Sequence, residues 1–322
     1  MLMHERPGPA LRLQIALQSL EVRQRAFTLG RGALAAAQIS ILVFTPFSAL
    51  MQTVGGAEPA PYCAGARIIS AFCIGGPEVP SIVRVIVMIV LLGLVLVGFL
   101  PRVMAFVHAW IAISISTGIS LPDGGDSVAA IVSVIIIFIM AADDRRWAWS
   151  KERRPVGPVG RGVALAGIYA LRLQVTLIYL NSAFEKFNVD DWSNGSAEYY
   201  ISRGYMFGAS GLIADVLHWA TSVPLLLAVI TWGVIVAEIC IGILVVTIDF
   251  GRRIAFIMAV ALHVGIILSI GLWSFGIIMI ATVGIATMKL VPSSASPGSA
   301  SDEDDSPSIL GDDDAVRRSE VL

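Results

Sequence analysis

Between Tyr169 and Ile201 the chain reads YALRLQVTLIYLNSAFEKFNVDDWSNGSAEYYI, and its chemistry-bearing side chains gather there. Arg172, Gln174, Tyr179, Asn181, Ser182, Glu185 and Lys186 interrupt an otherwise apolar helix. At ~100° per residue, Arg172, Tyr179 and Lys186 fall on one narrow helical face, and Gln174, Asn181 and Glu185 fall nearly opposite. A helix facing lipid has no use for two polar stripes, so this one is expected to be enclosed by other helices or to line a wet cavity. Lys186 closes the helix with Glu185 beside it, Asn181 and Ser182 a turn back, and Asp190 and Asp191 following. A boundary lysine can simply snorkel its ammonium into the headgroups, but this surrounding is more crowded than an anchor requires.

Arg172, Glu238 and His263 lie deep in apolar runs, where ionisable groups are costly and functional by default or else fix helix packing as ion pairs. Arg172 is eleven residues from Arg161, Glu238 eleven from Asp249, and His263 ten from Arg253. At ~1.5 Å per residue all three come about 15–16 Å above the cytoplasmic boundary, near the bilayer midplane. That common depth predicts a buried polar cluster in which Arg172 neutralises Glu238 and His263 shares a hydrogen bond. His108 reads either as a proton relay or as a histidine bonded to a neighbouring helix backbone.

The elements that must position these groups follow from composition. The chain has 322 residues, 56% of them hydrophobic and 14% charged, with a mean hydropathy of +0.81. Too little polar surface exists to cover a soluble globule. Long apolar runs, rather than short alternating ones, predict an all-α, polytopic helical membrane bundle and not a β-barrel. Spans are expected at 32–52, 80–100, 102–120, 126–142, 161–186, 223–248, 253–271 and 273–290, eight in all, with a kink at Pro46 and a tight hairpin at Pro101–Arg102. Residues 196–222 read as an interfacial or re-entrant helix. Three regions result: a basic, amphipathic cytoplasmic segment over 1–31, a transmembrane domain over 32–291, and an acidic tail over 292–322 that buries no apolar area and is expected to be disordered. The first apolar run begins about thirty residues in, which reads as a retained segment and not as a cleaved signal peptide.

Cys63 and Cys73 stand in the first outer loop, ten residues apart, where thiols oxidise, and are expected to form a disulfide. Cys240 reads as a packing residue within a span. The histidines at 4, 108, 218 and 263 are scattered and no cysteine pair has zinc spacing, so no metal site is expected. Phosphate-cradling glycine motifs and nucleophile elbows are absent, and no basic tract interleaves with aromatics, so nucleic acid is not an expected partner.

The stretch IYLNSAFEKFNVDDWSNG resembles the signature of the horizontally transferred transmembrane (HTTM) domain, shared by vitamin K-dependent gamma-carboxylase and many bacterial proteins. Tyr179, Ser182–Ala183, Lys186, Phe187, Trp192 and Gly195 match that signature in order. Residues 123–150 resemble the family helix that ends in an acidic-basic-tryptophan cytoplasmic loop, and 262–285 the family helix carrying a histidine before a span with a Phe. The resemblance covers roughly 32–290. It implies that Lys186 is catalytic, the base that deprotonates a quinone-type lipid, a task open to a lysine only where desolvation disfavours its charged form. The chain departs from the carboxylase at Gly125–Asp126, where that enzyme has a histidine. Chain length, the paired outer-loop cysteines and eight spans are similar to the sporulation-delaying protein B family. Those are bacterial membrane proteins encoded with small antimicrobial peptides and needed for maturation of the exported toxin.

Three functions are therefore expected in order: maturation or export of a secreted toxin peptide, with the peptide and co-encoded maturation proteins as partners and no required cofactor; an enzyme acting on a quinone-type membrane lipid with Lys186 as base; and a small-solute transporter using Arg172 and Glu238. With the first residue inside, seventeen of the 22 Lys and Arg fall on the cytoplasmic side and three on the outer side. That bias predicts a bacterial inner-membrane protein with both termini cytoplasmic. Reporter fusions in the 143–160 loop and in the tail are expected to read as cytoplasmic, and a fusion at 188–200 as external. A periplasmic signal from the tail would defeat the topology.

Overall fold

In the computed structural model the described residues are 20–53, 55–56, 60–151, 156–204 and 208–289. The acidic tail and most of the amphipathic stretch 10–27 lie outside them. All regular structure among the described residues is helical apart from isolated bridges, as the sequence predicts. The helices are α1 (Arg25–Phe44), α2 (Phe47–Leu50), α3 (Ser81–Leu96), α4 (Pro101–Gly118), α5 (Gly124–Met140), α6 (Pro158–Lys186), α7 (Asp190–Ser193), α8 (Ala197–Ser202), α9 (Gly211–Ser222), α10 (Pro224–Leu244), α11 (Asp249–Ile270) and α12 (Trp273–Ala286).

Each expected span contains a helix, but among the described residues four helices are long and apolar enough to cross a membrane: α1, α6, α10 and α11. α3, α5 and α12 are apolar and shorter, at 16, 17 and 14 residues. α1 begins at Arg25, seven residues before the expected start, and ends at Phe44. Pro46 breaks it outright, because proline cannot donate to the preceding turn, and becomes the N-cap of α2. The stretch expected to be interfacial folds as α8 and α9 packed against α10 and α11. Arg203 joins these two helices by bonding Thr221 Oγ1 at 2.7 Å and the His218 carbonyl at 2.9 Å.

Two apolar cores share α1. Leu34 and Ala37 face a core built with α5, α6, α10, α11 and α12, whereas Ala35 and Leu42 face one built with α3 and α4. Small residues make this sharing sterically feasible. A Cβ at Gly30 would stand 2.5 Å from Ile285 Cγ1, so glycine lets α1 lie directly against α12. Polar groups are buried along the same helix. Arg31 donates to the Pro101 carbonyl at 3.3 Å and contacts Met140 Sδ at 3.1 Å. His108, expected to bond a helix backbone or relay protons, instead pairs its Nε2 with Gln38 Oε1 at 2.9 Å.

The expected α3–α4 hairpin is closed by a clamp. Gly98 takes φ +77°, and a Cβ there would meet Ala148 Cβ at 2.8 Å. The Leu100 N–H donates to the Arg146 carbonyl and the Ala148 N–H to the Gly98 carbonyl, both at 2.8 Å, while Trp149 Nε1 donates to Val97. Asp143 and Arg145 pair at 2.8 Å and hold this loop's shape. The acidic-basic-tryptophan run thus has a structural task, locking the hairpin turn.

Cys63 and Cys73 are joined, their Cα atoms 5.5 Å apart. Arg84, at the start of α3, reaches into this loop and donates to the carbonyls of Phe72 (2.8 Å) and Ile74 (3.0 Å). Non-reducing peptide mapping of membranes alkylated without reductant is expected to recover one cross-linked peptide containing both cysteines. Recovery of both as alkylated free thiols would contradict the bridge.

Candidate functional site

The interior stripe of α6 meets three other helices, and its members part company. Lys186, in the last turn of α6, sends Nζ to both carboxylate oxygens of Glu238 on α10, at 2.8 and 2.9 Å. Ser182, one turn back, donates to Glu238 Oε1 at 3.0 Å and accepts from Lys186 Nζ at 2.9 Å. The side chains of Lys186 and Glu238 are only 17% and 9% exposed. An ammonium and a carboxylate so placed satisfy one another, and the serine hydroxyl fills the remaining geometry. The sequence led toward an Arg172–Glu238 pair, and the carboxylate instead takes the lysine from the helix end.

The matched signature residues surround this pair. Trp192, on α7, places its ring 5.1 Å from Lys186 Nζ, a cation–π contact that covers the ammonium. Gly195 takes φ +84°, and a Cβ there would approach Trp232 Nε1 to 3.3 Å, so glycine permits both the turn and the approach to α10. Ala183 is fully buried, and Phe187 stacks against Trp232 at 5.8 Å. Tyr179, two turns back along α6, shares a 2.7 Å hydrogen bond between its hydroxyl and His263 Nε2 on α11, and Phe275 of α12 packs on the imidazole at 5.4 Å. Two helices, α10 and α11, are therefore tied to α6 by polar contacts within two turns of its end, and α12 packs on the second of these contacts through Phe275.

Arg172 is elsewhere. Its guanidinium donates to the carbonyls of Ala286 (2.9 Å) and Met288 (3.0 Å), at the end of α12. Fourteen residues separate it from Lys186, about 21 Å along the helix. The expected cluster of Arg172, Glu238 and His263 is not formed. The depth estimate counted each residue from the inner end of its expected span, and those ends are not where the helices begin or stop: α10 already ends at Leu244, short of Asp249. α6 begins at Pro158, ahead of the assumed Arg161, and α12 stops after only fourteen residues. The carbonyls left unbonded at that stop are what Arg172 satisfies, a cation at a helix C-terminus. The opposite stripe of α6 is not enclosed either: Asn181 and Glu185 are exposed.

Glu198, on α8, gives the site a second carboxyl that sequence reading passed over. Burial pushes its carboxyl above the ordinary range, and the nearby Lys186 ammonium partly offsets this. Its N–H faces Thr231 Oγ1 on α10 at 3.4 Å. The one available signal was its place just after Gly195, since a chain turned back by a left-handed glycine must return toward the helix it left. Among the described residues no group of three or more His, Cys, Asp or Glu is arranged to hold a metal.

Fold and site together define a helical bundle of membrane-protein composition, with a lysine–carboxylate pair buried between two helices at one end. The chain is similar to Uncharacterized protein YitO of Bacillus subtilis (strain 168), 27% identical over 271 residues, 83% of this chain and 85% of that protein. It is also similar to Sporulation-delaying protein SdpB of the same organism, 29% identical over 228 residues, 69% of each chain. No family model matches the chain, and no solved structure matches it.

Removing one member of a buried pair leaves the other charge uncompensated, at about 3–5 kcal/mol, while removing both is close to neutral. Glu238→Leu and Lys186→Met are each expected to lower the melting temperature in detergent, and the double variant to recover most of the loss. Additive losses in the double variant would show that the two side chains act independently.

Proposed function

We propose that this chain is a multi-pass bacterial inner-membrane protein of an SdpB-like system, acting in maturation or export of a secreted toxin peptide. The observation that carries the reading is the similarity to Sporulation-delaying protein SdpB over 69% of both chains. Three features support it. Four helices among the described residues are long and apolar enough to cross a membrane. The cysteine-linked loop suits an oxidising compartment. The signature residues Tyr179, Ser182, Lys186, Trp192 and Gly195 converge on one site, as a domain of the HTTM type would require. Eight crossings and two cytoplasmic termini belong to this reading. Lys186 then works at the outer end of the bundle, where an exported peptide emerges.

The same pair carries a second reading, a membrane enzyme acting on a quinone-type lipid. Lys186 and Glu238 are a donor and an acceptor within one hydrogen bond, so a proton passed from the ammonium to the carboxylate would leave a neutral amine as base. The transporter reading loses its footing, because Arg172 caps α12 and makes no contact with Glu238 among the described residues.

Deleting the gene in its host is expected to abolish the mature peptide while its precursor persists; undiminished mature peptide would overturn the first reading. Lys186→Arg separates the readings, because arginine keeps the charge and does not deprotonate near neutral pH. Under peptide maturation through an ion-paired scaffold, Lys186→Arg is expected to retain at least about half the secreted peptide, and Lys186→Met to lose about tenfold or more. Loss with both variants, in folded protein, favours the base.

A further inference from the structure

A groove of about 630 Å³ runs along the outside of the bundle between α1, α11 and α12, at the end away from Lys186. Its walls are almost wholly apolar, among them Leu29, Phe256, Ile257 and Ile280. Leu29 and Ile257 are among the most exposed large apolar side chains of these helices, at 62% and 66%. Along α12 and the two residues past its end the lining extends from Ile277 to Met288, eleven residues, or about 16 Å at 1.5 Å per residue. That is half of a ~30 Å hydrocarbon core, the depth of a single leaflet. Close packing shapes the groove: Gly30 brings α1 against Ile285, and Gly284 leaves room for Phe256, whose ring would stand 3.2 Å from a Cβ there.

One end of the groove is cationic. Arg253 lines it directly. Arg25 immediately precedes the lining residue Ala26, and Lys289 immediately follows the lining residue Met288. All three cations are exposed, and among the described residues none takes part in an ion pair. The neighbouring Arg252, by contrast, is paired with Asp249. Three uncompensated cations at the mouth of an apolar slot one leaflet deep match one ligand chemistry: an anionic headgroup carrying an acyl chain. Basic pockets between helices on the cytoplasmic side are where such headgroups bind.

We propose that this groove is a specific site for an anionic phospholipid of the cytoplasmic leaflet, with its phosphate at Arg253 and one acyl chain lying along α12. A neutral lipid would cover the apolar walls equally well and leave the cations unmatched, so preference for charge is the distinguishing property. The site is separate from the Lys186–Glu238 pair and holds whether or not the chain acts on a peptide.

The test is native mass spectrometry of the detergent-purified protein titrated with phosphatidylglycerol or phosphatidylcholine of identical chains. The wild type is expected to retain phosphatidylglycerol at least about tenfold more tightly, since each basic residue near the headgroup contributes. Replacing Arg25, Arg253 and Lys289 by Gln is expected to equalise the two lipids without changing the melting temperature. Leu29→Trp, which fills the groove from an exposed position, is expected to weaken both. Inorganic phosphate is expected not to displace the lipid. Equal retention of the two lipids by the wild type, an unaltered preference in the triple Gln variant, or displacement by phosphate alone would overturn the site.

Discussion

Two charges of opposite sign removed from water between α6 and α10 set the terms for this end of the bundle. Lys186 and Glu238 are each intolerable there without the other, so the two helices must approach within a hydrogen bond at one level. That requirement explains the small residues beside them. Ala183 is fully buried where the helices pack, and a Cβ on Gly242 would touch Leu180 at 3.1 Å. It also explains the reversal after α6. The chain turns at Gly195 so that Trp192 covers the ammonium and α8 returns alongside α10. Residues separated by more than fifty positions are thereby held to one geometry by a single electrostatic constraint.

The other end obeys a different rule. There the cost is unbonded backbone, because α12 stops within the bundle and its last carbonyls need donors. Arg172 supplies two of them, and Gln24 Nε2 bonds the Lys289 carbonyl at 2.8 Å. The stripe that looks uniform along α6 thus holds an ion-pairing residue at one end, a hydrogen-bonding tyrosine between, and a capping arginine at the other. They share a helical face for three separate reasons.

Much of this was legible in the residues. Apolar runs located the helices, because the need to hide backbone in lipid leaves few alternatives. The Cys63–Cys73 spacing anticipated the bridge, and the Tyr179-to-Gly195 block gathers beside the Lys186–Glu238 pair. What failed was the assignment of partners. Glu238 was matched to Arg172 by counting residues from span ends, but the counts carry no information on where neighbouring helices start or how they tilt. Glu198 was overlooked because its proximity to Lys186 depends on a turn whose direction only Gly195's positive φ sets. His108 read either as a relay or as a histidine bonded to a neighbouring backbone; its partner is instead the Gln38 side chain, seventy residues away on a helix whose facing side the pattern of alanines and glycines does not reveal.

The clamp on the α3–α4 hairpin bears on the order in which the bundle is assembled. Gly98 and Leu100 take their main-chain partners from Ala148 and Arg146, which are made only after α5. The hairpin therefore leaves the ribosome with its turn unlocked, and locking waits until α5 has been made and its loop has folded back. α6, with the lysine at its far end, comes next off the ribosome. By then α1 and α3 to α5 can already be one sealed unit, so the helices that carry the charges would dock onto a finished wall and not into a fluid intermediate.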